Sequence, residues 1–372
     1  MPRILATFGT RPEAIKMAPV VRALAARGAF DVRVCVTAQH RSMLDQVLAL
    51  FGLEPDVDLD LMQPGQTPAD LTAREVARMT RTLEAEHPDI VLVHGDTTTA
   101  MATTLAAFYL RIPVGHVEAG LRSGRMDAPF PEEMIRVVID RMAGRLFAPT
   151  ARAAGNLRAE GIDPARVLVT GNTAIDALLD VRARLDDLPV PLRDAIDPDR
   201  RIVLVTAHRR ESFGAPLAAV FEALETIARR HPDVELVYPV HPNPRVEGPA
   251  RQRLRAPNLR LVEPVDYASL VWLLDRAHVV ITDSGGIQEE GATLGRPLLV
   301  LRDVTERPEL VDAGAGVLVG TDRDRIVEAA SRLLEDEEAW SAMARPRALF
   351  GDGRAGPRIA GDLAGEAVEP WA

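Results

Sequence analysis

The stretch Asp89-Ile-Val-Leu-Val-His94-Gly-Asp-Thr-Thr98 decides the fold. Its four apolar residues run without alternation, then a glycine turn leads into a helical pattern over 98–110. A strand with one face in water alternates apolar and polar residues. An unbroken apolar run instead suits a strand buried on both faces of a parallel sheet. Outward from this stretch the same unit repeats. Strands are expected at 3–8, 31–37, 90–94, 114–117, 145–148 and 167–170. A second set is expected at 202–206, 235–239, 259–261, 279–282, 298–301 and 316–319. Amphipathic helical patterns lie between them, at 14–26, 70–85, 98–110, 215–230, 267–277 and 323–334. Repeated βα units imply right-handed crossovers and doubly wound sheets.

The 372 residues suit two domains at about 150 residues each. Proline and charge in Leu188-Pro-Val-Pro-Leu192 and Asp197-Pro-Asp-Arg200 mark a break within 171–201. The expected fold is α/β: two Rossmann-like, doubly wound parallel-sheet domains at 1–175 and 195–350, with an interdomain cleft for ligand. A last helix near 357–367 is expected to pack back on the first domain.

With 47% apolar and 26% charged residues, the composition excludes a disordered, collagenous or disulfide-built chain. A net charge of −10 and only 4% aromatics argue against a nucleic-acid binder, which needs a basic face or stacking platforms. The one cysteine, Cys35, allows no internal disulfide or cysteine metal cluster and suits a reducing, cytoplasmic setting. No run approaches the ~18 apolar residues of a membrane span, so no membrane partner is expected.

Ligands of open α/β sheets lie beyond the carboxyl ends of the strands, so the residues just after each strand carry the functional reading. After the first strand comes Gly9-Thr10-Arg11-Pro12-Glu13-Ala14-Ile15-Lys16. Free helix N–H groups with Arg11 and Lys16 suit an anion; the plain alternative is a βα turn with solvated cations. It lacks the three-glycine dinucleotide fingerprint, so bound NAD is not expected. In the second half, Val279-Val-Ile-Thr-Asp-Ser-Gly-Gly-Ile-Gln-Glu-Glu290 runs from strand into helix. Ser284, Gly285 and Gly286 let backbone N–H groups approach a diphosphate, and Glu290 can accept from ribose hydroxyls. Capping by Asp283 or Ser284 is the structural alternative. Arg307 can reach the same phosphates or pair with Glu306 or Glu309. Asp96, Glu118 and Glu132 follow strand ends in the first half, where burial and like-charge neighbours tune acid–base groups. His208, beside Arg209 and Arg210 after a strand, is a catalytic or phosphate-binding candidate. His241 ends another strand. No histidine–acid spacing matches a metal motif, so neither metal nor cofactor is expected.

Together these segments resemble the non-hydrolysing UDP-N-acetylglucosamine 2-epimerases. The blocks are Gly9-Thr-Arg-Pro-Glu-Ala-Ile-Lys16, His94-Gly-Asp-Thr-Thr98, Gly115-His-Val-Glu-Ala-Gly-Leu-Arg122, Thr282-Asp-Ser-Gly-Gly-Ile-Gln-Glu-Glu290, Thr305-Glu-Arg-Pro308 and Phe350-Gly-Asp-Gly353. The resemblance implies a glycosyltransferase type B fold. It also implies interconversion of UDP-GlcNAc and UDP-ManNAc through UDP elimination to a 2-acetamidoglucal and re-addition, supplying ManNAc-type sugars for cell-surface polysaccharide. It puts catalysis on Asp96, Glu118, Glu132 and His208. UDP contacts fall on Arg11, Lys16, Ser284, Gly285, Gly286, Glu290 and Arg307. An allosteric UDP-GlcNAc site of many relatives falls on Gln39, Arg209 and His241, and a homodimer is implied. Ile135 stands where the family usually has Asn, and Gly291-Ala292 where Ala-Pro is common, which should loosen that helix. The rival readings are a hydrolysing 2-epimerase releasing UDP and ManNAc, a UDP-sugar glycosyltransferase, and a nucleotide-sugar-binding regulator without activity.

Overall fold

A computed structural model describes residues 1–37, 41–62, 65–127, 129–197, 199–209 and 212–371. The chain divides into two compact units, Met1–Leu179 with Phe350–Ala372, and Asp180–Leu349.

The first unit holds β1 (Arg3–Phe8), α1 (Arg11–Ala26), β2 (Asp31–Val36), α2 (Arg41–Phe51), β3 (Val57–Asp58), α3 (Pro68–Glu86), β4 (Ile90–His94) and α4 (Thr98–Tyr109). It continues with β5 (Val114–Val117), α5 (Glu132–Met142), β6 (Arg145–Ala148), α6 (Ala151–Ala159), β7 (Val167–Val169) and the start of α7 (Thr173–Ala183). Its seven strands are all parallel, in the order β3-β2-β1-β4-β5-β6-β7. Leu5, Val91, Val93, Val114 and Leu146 are buried in one core with helix residues such as Met79, Leu83, Ile135 and Leu157. Continuous apolar strands are required because helices cover both faces of the sheet.

The second unit holds β8 (Arg201–Thr206), α8 (Ala215–Arg230), β9 (Val234–Pro239), α9 (Pro244–Arg253), β10 (Leu259–Val262), α10 (Tyr267–Arg276) and β11 (Ala277–Thr282). It ends with α11 (Gly285–Thr293), β12 (Leu298–Val300), α12 (Pro308–Asp312), β13 (Gly316–Leu318), α13 (Arg323–Glu335) and α14 (Glu337–Met343). Its six parallel strands run β10-β9-β8-β11-β12-β13. Val203, Val205, Leu236, Tyr238, Val279 and Ile281 are buried against Phe221, Leu224 and Ile326.

Among the departures from the sequence expectation, α7 and α11 bear on the packing. Helix α7 occupies the first part of the expected break, because Ala174, Ile175, Ala177, Leu178 and Val181 are all buried along it. In α11, Gly291 is a close-packing position: a Cβ there would lie 2.9 Å from Leu298 Cδ2. The glycine therefore lets the helix seat close against Leu298 of β12. The returning segment ends in α15 (Ala355–Leu363), which packs on α1. Gly356 permits this approach, since a Cβ would meet Pro19 O at 2.8 Å. No helix of the described residues is long and apolar enough to cross a membrane.

Candidate active site

Strand order reverses direction between β1 and β4 in the first sheet and between β8 and β11 in the second. At such a switch point neighbouring crossovers diverge to opposite faces and open a crevice beyond the carboxyl ends. The residues after β1 and β4, and those after β8 and β11, are largely those singled out in the sequence.

In the first unit, Glu13 organises the crevice floor. Its Oε2 accepts the backbone N–H of Gly9 at 3.1 Å and of Thr10 at 2.8 Å, while Thr10 Oγ1 accepts from Glu13 N. This is a capping box on α1. Thr97, the N-cap of α4, donates its hydroxyl to Glu13 Oε1 at 2.7 Å. One buried carboxylate thus ties the loops after β1 and β4 together, and burial raises its pKa against those hydrogen bonds. The N–H groups of Gly9 and Thr10, just before the helix, thus serve Glu13.

Glu118 and Asp96 follow adjacent, paired strands. Lys16 Nζ donates to Glu118 Oε2 at 2.5 Å, and Asn172 Nδ2 donates to the same oxygen at 2.9 Å. Lys16, expected as a UDP contact, is thereby an ion partner of a carboxylate. Glu118 has φ 66°, the left-handed region that non-glycine residues rarely adopt. Arg136 Nη2 donates to Asp96 Oδ2 at 2.5 Å and its Nη1 lies 3.2 Å from Glu133 Oε2. Ile135 beside it is buried in the apolar core. Glu132 begins α5, and its Oε2 is buried with no hydrogen-bond partner among the described residues. An unsatisfied buried carboxylate oxygen calls for a ligand or water. His94, at the end of β4, is buried with neither ring nitrogen hydrogen-bonded among the described residues; Nε2 lies 3.8 Å from Glu118 Oε2. Burial first, with Lys16 and His116 repelling charge, pushes its pKa down to about 3 despite Glu118. Behind the carboxylates, His116 bridges Asp140 Oδ1 at 2.7 Å and the Gly95 carbonyl at 2.8 Å, and Asp140 Oδ2 accepts Gly120 N.

In the second unit, Asp283 accepts the N–H groups of His208 at 2.6 Å and Arg209 at 2.7 Å. Neither Asp283 nor Ser284 caps α11 by a side-chain bond; Asp283 holds the β8 loop instead. His208 is exposed, stacks on His241 with ring centroids 5.3 Å apart, and its Nδ1 faces Asp283 Oδ1 at 3.5 Å. Burial and His208 lower the pKa of His241. Arg307 Nε donates to Glu289 Oε1 at 2.8 Å and Nη1 to Glu306 Oε2 at 3.2 Å. Its guanidinium lies over the start of α11: a Cβ on Gly285 would meet Nη1 at 2.7 Å, whereas one on Gly286 would meet nothing within 4 Å. Burial opposes ionisation of Glu306, but the Arg302 hydrogen bond and the charges of Arg307, Arg302 and Arg209 hold it down at about 2. Glu290 is buried and accepts from Tyr267 Oη at 2.8 Å. A helix N-terminus beside a guanidinium is the kind of place that suits an anion. Gln39 lies outside the described residues.

Sequence reading missed Glu13, Arg136 and Asn172. The Thr10-x-x-Glu13 capping pattern signals the first; nothing local signals the other two.

Two parallel sheets with polar groups gathered at both switch points define the two-domain, glycosyltransferase type B-like class of α/β proteins. The family described as UDP-N-acetylglucosamine 2-epimerase matches residues 22–364, and this chain belongs to it. The UDP-N-acetylglucosamine 2-epimerase of Escherichia coli strain K12 is 52% identical over 364 residues, spanning 96% of this chain and 97% of that protein. The one from Bacillus subtilis strain 168 is 46% identical over 97% of this chain and 94% of its own length. The crystal structure of UDP-GlcNAc 2-epimerase from Neisseria meningitidis bound to UDP-GlcNAc superposes with a TM-score of 0.94 at 42% identity, covering 98% of this chain and 100% of that one.

Proposed function

We propose that the chain is a non-hydrolysing UDP-GlcNAc 2-epimerase acting without a cofactor, as a homodimer in the cytoplasm, and supplying ManNAc-type sugars for cell-surface polysaccharide. The reaction takes the proton from carbon 2 as the carbon 1–oxygen bond to UDP breaks, giving 2-acetamidoglucal and UDP. UDP oxygen then re-adds to carbon 1 while carbon 2 gains a proton on the opposite face. Water is not consumed. The observation that carries the reading is a set of carboxylates after neighbouring strand ends, two of them held by cations: Asp96 by Arg136 and Glu118 by Lys16.

Proton removal and delivery on opposite faces need more than one acid–base group. Asp96, Glu118, Glu132 and His208 fill those roles. Carboxylates also stabilise a developing oxocarbenium ion. Carbon 2 is a weak acid, so departure of UDP must be strongly assisted by preorganised charge. Ser284, Gly285, Gly286 and Arg307 at the α11 N-terminus supply it, with Arg11 and Lys16, while Glu290 receives a ribose hydroxyl. The resemblance puts the relatives' second UDP-GlcNAc site on Gln39, Arg209 and His241, although Ser42 and Gly65 lack the Gln and Arg that some members carry there.

The test is turnover of UDP-GlcNAc in D₂O followed by proton and phosphorus NMR. The expected outcome is UDP-ManNAc with deuterium at carbon 2 and no free UDP accumulating in step with product. Stoichiometric UDP with free ManNAc would assign the hydrolysing reaction, and no exchange at carbon 2 would leave a binding protein.

A further inference from the structure

Asn172 stands where the chain's two connections between units meet within the first unit. It immediately precedes α7, along which the chain leaves that unit after Leu179. Phe350, the first residue on the return, accepts the Asn172 N–H at 2.6 Å. A Cβ on the next residue, Gly351, would lie 3.3 Å from both Asn172 N and O, so the two strands of chain are closely apposed.

The buried Asn172 side chain serves both α7 and Glu118. Oδ1 accepts from Ala174 N at 2.9 Å, capping α7. Nδ2 donates at 2.9 Å to Glu118 Oε2, the oxygen that also receives Lys16 Nζ. Glu118 projects from a left-handed backbone at φ 66°. A non-glycine residue persists in that region where its surroundings hold it. The capping job is indifferent to Asn, Asp or Ser; the donation to Glu118 is not, because Asp has no donor and Ser is too short to span both partners.

We infer that Asn172 is a positioning residue for the epimerase reaction: its amide N–H aims the Glu118 carboxylate and ties that aim to the segment where the chain leaves and re-enters the unit. The inference rests on Glu118 acting in proton handling, as proposed above.

The test compares wild type with Asn172→Asp and Asn172→Ser, both of which keep an N-cap oxygen. Thermal melts establish that each variant folds. Displacing a reacting group by about 1 Å costs up to ~10²-fold in rate, so kcat should fall ~10- to 100-fold in both, with KM for UDP-GlcNAc little changed. In Asn172→Asp two carboxylates must share one proton, so the acid limb of the kcat profile moves to higher pH; in Asn172→Ser it stays. A structural cap would give neither the rate loss nor the limb shift. Active wild type with both variants at wild-type kcat and pH profile overturns the role of Asn172 alone. Wild type with no turnover and no carbon 2 exchange overturns the epimerase reading and this role with it.

Discussion

His94 shows how a single side chain at the crevice floor links the chemistry to stability. Its ring is buried beside Glu118 and Lys16, with no hydrogen bond to either nitrogen among the described residues. Inside the fold it stays neutral down to about pH 3, burial being the main cause, whereas in the unfolded chain it titrates near 6.5. Between those values the unfolded state binds the extra proton. This contribution therefore costs nothing above about pH 6.5 and weakens the fold progressively as pH falls toward 3. The slope is at most ~1.4 kcal/mol per pH unit for one proton. His94→Gln should flatten the dependence of unfolding free energy on pH between 6 and 4 by up to that amount, measured by urea titration at each pH. An unchanged slope would mean that His94 charges freely in the folded state. The same neutrality matters for the reaction: a charged imidazole here would compete with Lys16 for Glu118.

The α11 N-terminus with the loop after β12 is the element to which the proposed function assigns the diphosphate. Thr305 donates to Gln288 at 2.7 Å and Arg307 to Glu289 at 2.8 Å, so the loop is strapped to the helix and Arg307 is held over its first turn. Only glycine at 285 leaves room for the guanidinium, while 286 has open space. Gly285→Ala would push aside the tip of a flexible side chain, which costs little stability but moves the charge. Calorimetric titration with UDP should show affinity reduced about tenfold, roughly the worth of one charge-assisted hydrogen bond, with an unchanged melting temperature. Gly286→Ala should bind more nearly as wild type. Equal binding by wild type and Gly285→Ala would remove Arg307 from the phosphate site. Elements of this kind were legible in the sequence because parallel strands are unbroken apolar runs and the polar groups directly follow them. β3 was not, since two residues carry no period. α7 was hidden by the prolines and charges that follow it, although its apolar residues have helical spacing. Partners such as Arg136, 40 residues from Asp96, and Asn172, 54 from Glu118, are brought together only by the sheet order; local pattern holds no record of them.

At the scale of the whole molecule, the chain runs through the first unit, builds the second, and returns to finish the first. The returning segment is part of the first unit's core, with Phe350, Ala355, Ile359 and Ala360 buried. Asp176 accepts the N–H groups of Ala355 at 3.1 Å and Gly356 at 2.8 Å, holding the N-terminus of α15, and Arg145 pairs with Asp362. The sequence anticipated a terminal helix from its glycines and Pro357, but not the contact that admits it, because Gly356 meets the α1 backbone across more than 300 residues. If each unit has its own core, damage at this seam should stay in the first. Gly356→Val would force side-chain atoms against Pro19 O, and overpacking of this kind costs ~1–3 kcal/mol. Hydrogen exchange read by mass spectrometry should then show faster opening of peptides from β1 and α1, while those from β8 and α8 keep wild-type protection. Equal loss in both sets would mean that the two sheets unfold as one cooperative body, and that the seam stabilises the entire chain.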